Sequence, residues 1–140
     1  MPTLFSVKYP NTGELSNFIQ SAGNSLTSFR YFEKRPLEVI LNHVCTYLLI
    51  EDRVAVTYGH LDKEDGIVWL GIATSEKEKG RGYGKIMMKA LIDEAKNQGI
   101  KKIRLSVDNV NESAIALYQK FGFILLEKKD KISFYELSVL

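Results

Sequence analysis

Apolar and polar residues alternate through the middle of the chain with the period of strands. Val44 to Ile50 is rich in β-branched and aromatic residues. Val54 to Leu61 alternates, which predicts Val54, Val56, Tyr58 and His60 on one face and Ala55, Thr57, Gly59 and Leu61 on the other. Ile67 to Ala73 is nearly all apolar and predicts a strand buried on both faces. Glu51-Asp52-Arg53 and Asp62-Lys63-Glu64-Asp65-Gly66 read as turns, so the three runs form a meander. Shorter strand patterns occur at Thr3 to Lys8, Ile103 to Val107, Phe123 to Leu126 and Ile132 to Val139.

Helical spacing is clearest from Tyr83 to Asn97. Ile86, Met87, Ala90, Leu91 and Ala95 predict an inward stripe, with Lys85, Lys89, Asp93 and Lys96 outward and Gly99 as the stop. A second helix carries Ala114, Leu117, Tyr118 and Phe121 at helical spacing, with Asn109 or Asn111 as its cap. A modest helix is predicted over Glu14 to Ala22, and Pro36 starts a helical turn through about Leu41. Leu26 to Arg35 mixes aromatic and charged residues without a period. The order of elements predicts a mixed α/β sheet. The crossover from Ile67 to Val107 makes its two strands parallel.

A length of 140 residues predicts one domain over 1–140, and 45% hydrophobic with 26% charged residues suits a packed globular core. The net charge of +2 is too small to point to nucleic acid. Cys45 stands alone, so no intrachain disulfide forms, and no Cys/His spacing suggests a metal. No apolar run reaches the roughly 18 residues of a membrane helix, and the first ten residues lack a secretory pattern. The expectation is a cytoplasmic protein without membrane partners.

Chemistry concentrates at Gly80-Arg81-Gly82-Tyr83-Gly84-Lys85, which opens the clearest helix. Glycines at every second position let the backbone approach a ligand closely, and a helix start attracts phosphate. Lys77, Lys79, Arg81 and Lys85 add positive charge. The P-loop pattern fails, because Ile86 follows Lys85 and Lys79 stands where the first glycine belongs. The dinucleotide fingerprint finds Met87 at its third glycine. Asp108 falls roughly where a ribose-binding acid belongs, which keeps that alternative open, although three antiparallel strands precede the loop.

A third pattern fits best. Lys79-Gly80-Arg81-Gly82-Tyr83-Gly84 resembles the Arg/Gln-x-x-Gly-x-Gly/Ala signature of the GNAT acyltransferase superfamily, with Lys79 in place of the usual Arg or Gln. Asn111 to Phe123 is similar to that family's Asn-x-x-Ala-x-x-Leu-Tyr-x-x-x-Gly-Phe block, and the resemblance covers about Val44 to Leu126. It implies a GNAT fold: a mixed, mostly antiparallel seven-stranded sheet with a V-shaped splay between two central parallel strands, flanked by about four helices. It implies acetyl-coenzyme A as donor and an amine as acceptor. The pyrophosphate falls to Lys79 and the backbone of Gly80, Arg81, Gly82, Tyr83, Gly84 and Lys85. The pantetheine arm falls to Ile72, Ala73 and Thr74, with Asn111 contacting the same arm. Tyr118 is the implied acid for the leaving thiolate, although a tyrosine on an apolar stripe also reads as core.

The attacking amine needs a proton acceptor. His60 is the candidate beside Tyr58; no acid stands on the Ile67–Ala73 strand, so water is the other route. Trp69 reads as core more readily than as a substrate platform. Arg30, Tyr31 and Arg35, with Phe29 and Phe32, read either as a solvated face or as one wall of an acceptor site. The latter favours a small-molecule amine, in particular an amino-sugar or nucleotide amino-sugar. A protein N-terminal or lysine acetyltransferase and a non-catalytic coenzyme A-binding module are the alternatives. Pairing of terminal strands into a homodimer stays open.

Overall fold

The computed structural model describes residues 1–23 and 30–139. The chain builds one seven-stranded sheet in the order β1-β2-β3-β4-β5-β7-β6. Its strands are β1 (Thr3–Ser6), β2 (His43–Glu51), β3 (Val54–Glu64), β4 (Ile67–Thr74), β5 (Lys102–Asp108), β6 (Ile124–Lys129) and β7 (Ile132–Ser138). All neighbours are antiparallel except β4 and β5. The helices among the described residues are α1 (Gly13–Ser21), α2 (Tyr83–Asn97) and α3 (Glu112–Lys120), with 3-10 turns at Tyr31–Glu33, Leu37–Asn42 and Glu76–Glu78. None of these helices is long and apolar enough to cross a membrane.

The sheet separates two cores. On one side, Met87, Met88, Leu91 and Ala95 of α2 pack with Leu61, Leu70, Leu105 and Tyr118. On the other, Leu15 and Phe18 of α1 pack with Leu48 and Tyr58. Gly59 permits the first contact. A Cβ there would lie 2.6 Å from the Met87 side chain, so only glycine lets α2 sit this close to β3.

Three expectations need correction. Strict alternation in β3 fails at Val56. Leu49 pairs with Thr57 and Ile50 with Ala55, so Val56 is the extra residue of a bulge, and it joins the α2-side core while Ala55 and Tyr58 face α1. The inward stripe of α2 runs through Met88 rather than Ile86, which is exposed. The charged run after Leu61 is not all turn. Asp62, Lys63 and Glu64 extend β3, and only Asp65-Gly66, both at positive φ, reverse the chain. That extension brings Asp62 and Glu64 to the mouth of the cleft described below.

Candidate active site

β4 and β5 run parallel, with one registered pair at Trp69–Arg104. Past it the strands part, and β4 continues to Thr74. A cleft of about 770 Å³ opens in the gap, walled by β4, the glycine loop, α2, α3 and the segment around Tyr31.

At the loop end, Gly82 has φ 83° as the residue before α2, and the helix start carries no side-chain cap. The first helical bond runs from the Ile86 N–H to the Gly82 carbonyl, at 3.4 Å. The N–H groups of Tyr83, Gly84 and Lys85 therefore precede the helical ladder, where the dipole favours an anion. Nothing lies within 4 Å of the Cβ position at Gly82. This bare, uncapped helix start fits a pyrophosphate. Lys85 and Lys120 both line the cleft, and the nearby Lys120 ammonium pushes the Lys85 pKa down. Lys79 pairs with Glu76 at 3.2 Å, and Arg81 with Glu78 at 3.2 Å.

In the middle stand Ile72, Ala73 and Thr74 of β4 and Tyr118 of α3. Asn111 also lines the cleft and caps α3, its side-chain oxygen accepting from the Ala114 N–H at 3.3 Å. Tyr118 is 6% exposed, and burial pushes its phenol far above the usual range. Among the described residues no buried side-chain N or O atom lacks a partner, and none bonds the Tyr118 hydroxyl. That hydroxyl therefore meets the cleft.

At the far end a polar network lies over β3. The Tyr31 hydroxyl donates to Asp62 Oδ2 at 2.8 Å and accepts from His43 Nε2 at 2.7 Å. His43 Nδ1 then accepts from the Thr46 hydroxyl at 2.7 Å. This assignment puts the His43 proton on Nε2. Burial pushes His43 down to about 4, and burial together with His43 pushes His60 well below its usual value. Both rings are neutral at pH 7. His60 lines the cleft, with Nδ1 2.6 Å from the Tyr58 hydroxyl.

Of the residues expected at the site, the cleft gathers all but two. Tyr58 is fully buried among Phe18, Phe32 and His60 and does not line the cleft; its hydroxyl meets His60, which does. The Arg81 side chain lies outside, held by Glu78. Arg30 lines the cleft but grips Asp108 with two bonds, at 3.1 and 3.2 Å. Arg35 stacks over the Tyr31 ring, 4.3 Å from its centroid. Leu26 and Phe29 lie outside the described residues. Trp69 is not core; it is half-buried in the cleft wall, edge-on to Phe134. Asp62 and Glu64 were hidden inside an apparent turn, and the unbroken β3 pattern up to Leu61 was the signal that the strand could run on.

The architecture is a mixed sheet that parts between its two parallel strands, with an open cleft in the gap. The chain belongs to the acetyltransferase (GNAT) family, whose model matches residues 14–123. It is 45% identical over 64 residues to the spermine/spermidine N(1)-acetyltransferase of Bacillus subtilis, a match covering 44% of this chain and 42% of that protein. It is 34% identical over 79 residues to the ribosomal protein bS18-alanine N-acetyltransferase of Salmonella typhimurium, covering 54% of this chain and 51% of the relative. The chain thus spans about half the length of these relatives or less. Among solved structures, the PaiA N-acetyltransferase of Thermoplasma acidophilum, in complex with coenzyme A, superposes with TM-score 0.80 at 14% identity over 99% of both chains. The ribosomal-protein-S18-alanine N-acetyltransferase of Escherichia coli superposes with TM-score 0.77 at 21% identity, over 99% of this chain and 94% of that one. These likenesses show the same fold.

Proposed function

We propose that the protein transfers an acetyl group from acetyl-coenzyme A to a primary amine of a small molecule in the cytoplasm. The observation that carries this reading is the Tyr118 hydroxyl, which opens from a buried ring into the same cleft as the uncapped start of α2. The donor, when bound, supplies an acetyl group activated as a thioester.

The chain's own residues divide the work. The N–H groups at the start of α2, with Lys79 and Lys85 nearby, bind the pyrophosphate. The β5-facing edge of Ile72, Ala73 and Thr74 orients the pantetheine arm as an added strand, and Asn111 borders that arm. Backbone N–H near Ile72 and Ala73 steadies negative charge on the carbonyl oxygen. Tyr118 keeps its proton at neutral pH and releases it from Oη to the departing sulfur. His60, kept neutral, accepts the proton of the amine directly or through water. Tyr31 and Arg35 wall the acceptor end.

An amino-sugar or nucleotide-linked acceptor draws its support from Arg30 and Arg35. Arg30 is already matched by Asp108, so that support rests mainly on Arg35. A protein terminus is the second reading, favoured by the similarity to the bS18-alanine enzyme of Salmonella typhimurium. Release of free thiol from acetyl-coenzyme A, followed with a panel of amines and with a peptide ending in alanine, tests both. Thiol release with small amines supports the first reading. Release with the peptide alone supports the second. Binding of coenzyme A without release for any acceptor points to a non-catalytic module.

A further inference from the structure

Tyr58 is the odd member of the α1-side core. The cluster it belongs to is otherwise aliphatic or phenyl, with Leu15, Phe18, Leu48 and Ala55, and Tyr58 is fully buried in it. Phenylalanine would serve packing there, and a hydroxyl in such a core costs desolvation unless it is bonded. The Tyr58 hydroxyl is bonded to His60, with Oη 2.6 Å from Nδ1. The two residues stand two apart on β3 and share a face.

The strand ladder sets His60 beside the point of reaction. His60 pairs with Gly71 of β4, and Gly71 and Ile72 both line the cleft. Gly71 brings no side chain to the place beside the imidazole. Ile72 and Ala73, next along β4, are the residues whose N–H groups serve the carbonyl oxygen in the reading above. Tyr58 belongs to the α1-side core and Tyr118 to the α2-side core. His60 and Tyr118 therefore approach the β4 edge from opposite faces of the sheet, which suits a base for the incoming amine and an acid for the departing sulfur.

The direction of the Tyr58–His60 bond decides what His60 can do. A phenol can donate or accept. With Tyr58 donating, the neutral ring carries its proton on Nε2 and has no lone pair to offer an amine. With Tyr58 accepting, the proton stands on Nδ1 and Nε2 keeps its lone pair. Only the second arrangement survives proton uptake, because an imidazolium donates through both nitrogens. Tyr58 Oη is then the acceptor already in place for Nδ1, where an unmet buried N–H would be costly.

We propose that Tyr58 is a positioning residue whose hydroxyl oxygen accepts from His60 Nδ1–H and so keeps Nε2 as the proton acceptor of the site. The inference rests on the acetyltransferase reading and supplies the setting of its base. His60 takes the amine's proton at Nε2 as the C–N bond forms, and Tyr118 gives its own to the sulfur as the C–S bond breaks.

The chain holds only two histidines, so nitrogen NMR spectra of protein carrying isotope-labelled histidine, with His43→Gln as reference, read His60 directly. At neutral pH the expected result is a protonated Nδ1 and a bare Nε2, with Tyr58→Phe moving the proton toward Nε2. A proton on Nε2 in the unaltered chain, or a spectrum unchanged in Tyr58→Phe, overturns the proposal. The unaltered chain alone decides should Tyr58→Phe not fold. With an amine that is acetylated, Tyr58→Phe is expected to lower kcat roughly tenfold, part of the ~10²–10⁴-fold that a positioned base contributes, at unchanged KM for acetyl-coenzyme A. In a His60→Gln background the same change is expected to cost nothing further. Equal loss in both backgrounds, or no loss in either, overturns the proposal. Should no amine be acetylated, the function fails separately, and the spectra still decide which nitrogen Tyr58 holds protonated.

Discussion

Arg30 and Asp108 clasp each other across the mouth of the cleft, through two hydrogen bonds at 3.1 and 3.2 Å. The pair ties Arg30, next to the Tyr31 turn, to the end of β5, although 78 residues separate the two in sequence. With side chains 46% and 23% exposed, it is worth at most about 1 kcal/mol. Asp108→Asn is therefore expected to lower global stability by less than about 1 kcal/mol in urea titration. Proteolysis at the Arg30–Tyr31 bond should rise more clearly, because the clasp holds the Arg30 side chain.

Gly59→Ala tests the close approach of α2. The added Cβ would fall 2.6 Å from Met87, which is fully buried, and 3.0 Å from Leu91. A loss of about 1–3 kcal/mol is expected by chemical denaturation. Shortening the neighbour in the double variant Gly59→Ala/Met87→Ala should give a loss smaller than the sum of the two single losses.

Gly82→Ala separates backbone strain from contact. Nothing lies within 4 Å of the new methyl, but φ is 83°, which an L-residue adopts at a cost of roughly 1 kcal/mol. The expected outcome is weaker coenzyme A binding by calorimetry, with only a small fall in melting temperature. Unchanged affinity would count against this loop as the pyrophosphate site.

Acid should weaken the fold through the Tyr31–His43 network. His43 is held down to about 4 in the folded chain, against about 6.5 when unfolded. Between those values the unfolded chain binds the extra proton, so stability falls as pH drops from about 6.5 to 4. His60 acts with the same sign. His43 is partly exposed, and its share after screening is on the order of 2 kcal/mol. Urea titrations across this range should show the loss, and His43→Gln should flatten that limb.

The parts legible in the sequence are those fixed locally. Gly82 announces one helix start through its backbone freedom, Asn111, one of two candidate caps, announces another through its side-chain oxygen, and α2 ends at Asn97 as its spacing predicts. What was hidden depends on neighbours. The Val56 bulge exists because β2 pairs out of step at Leu49 and Ile50, a fact of the partner strand. Met88 is buried and Ile86 exposed because the sheet decides how α2 is rotated. Asp62 resembled a turn residue because charge and turn tendency coincide; its place on β3 follows from pairing with Trp69. Arg30 read either as a solvated face or as part of an acceptor wall, and its pairing with Asp108 follows only from the fold.

Turnover of Tyr118→Phe, with coenzyme A binding measured on the same preparation, tests the central assignment most directly. The substitution keeps the ring among Phe123 and the α2-side core and removes only the cleft-facing hydroxyl. Loss of a positioned acid lowers kcat by roughly 10²-fold or more. A fall of that size with unchanged coenzyme A affinity is the predicted result. Unchanged kcat in a variant that still binds coenzyme A would contradict Tyr118 as the proton donor.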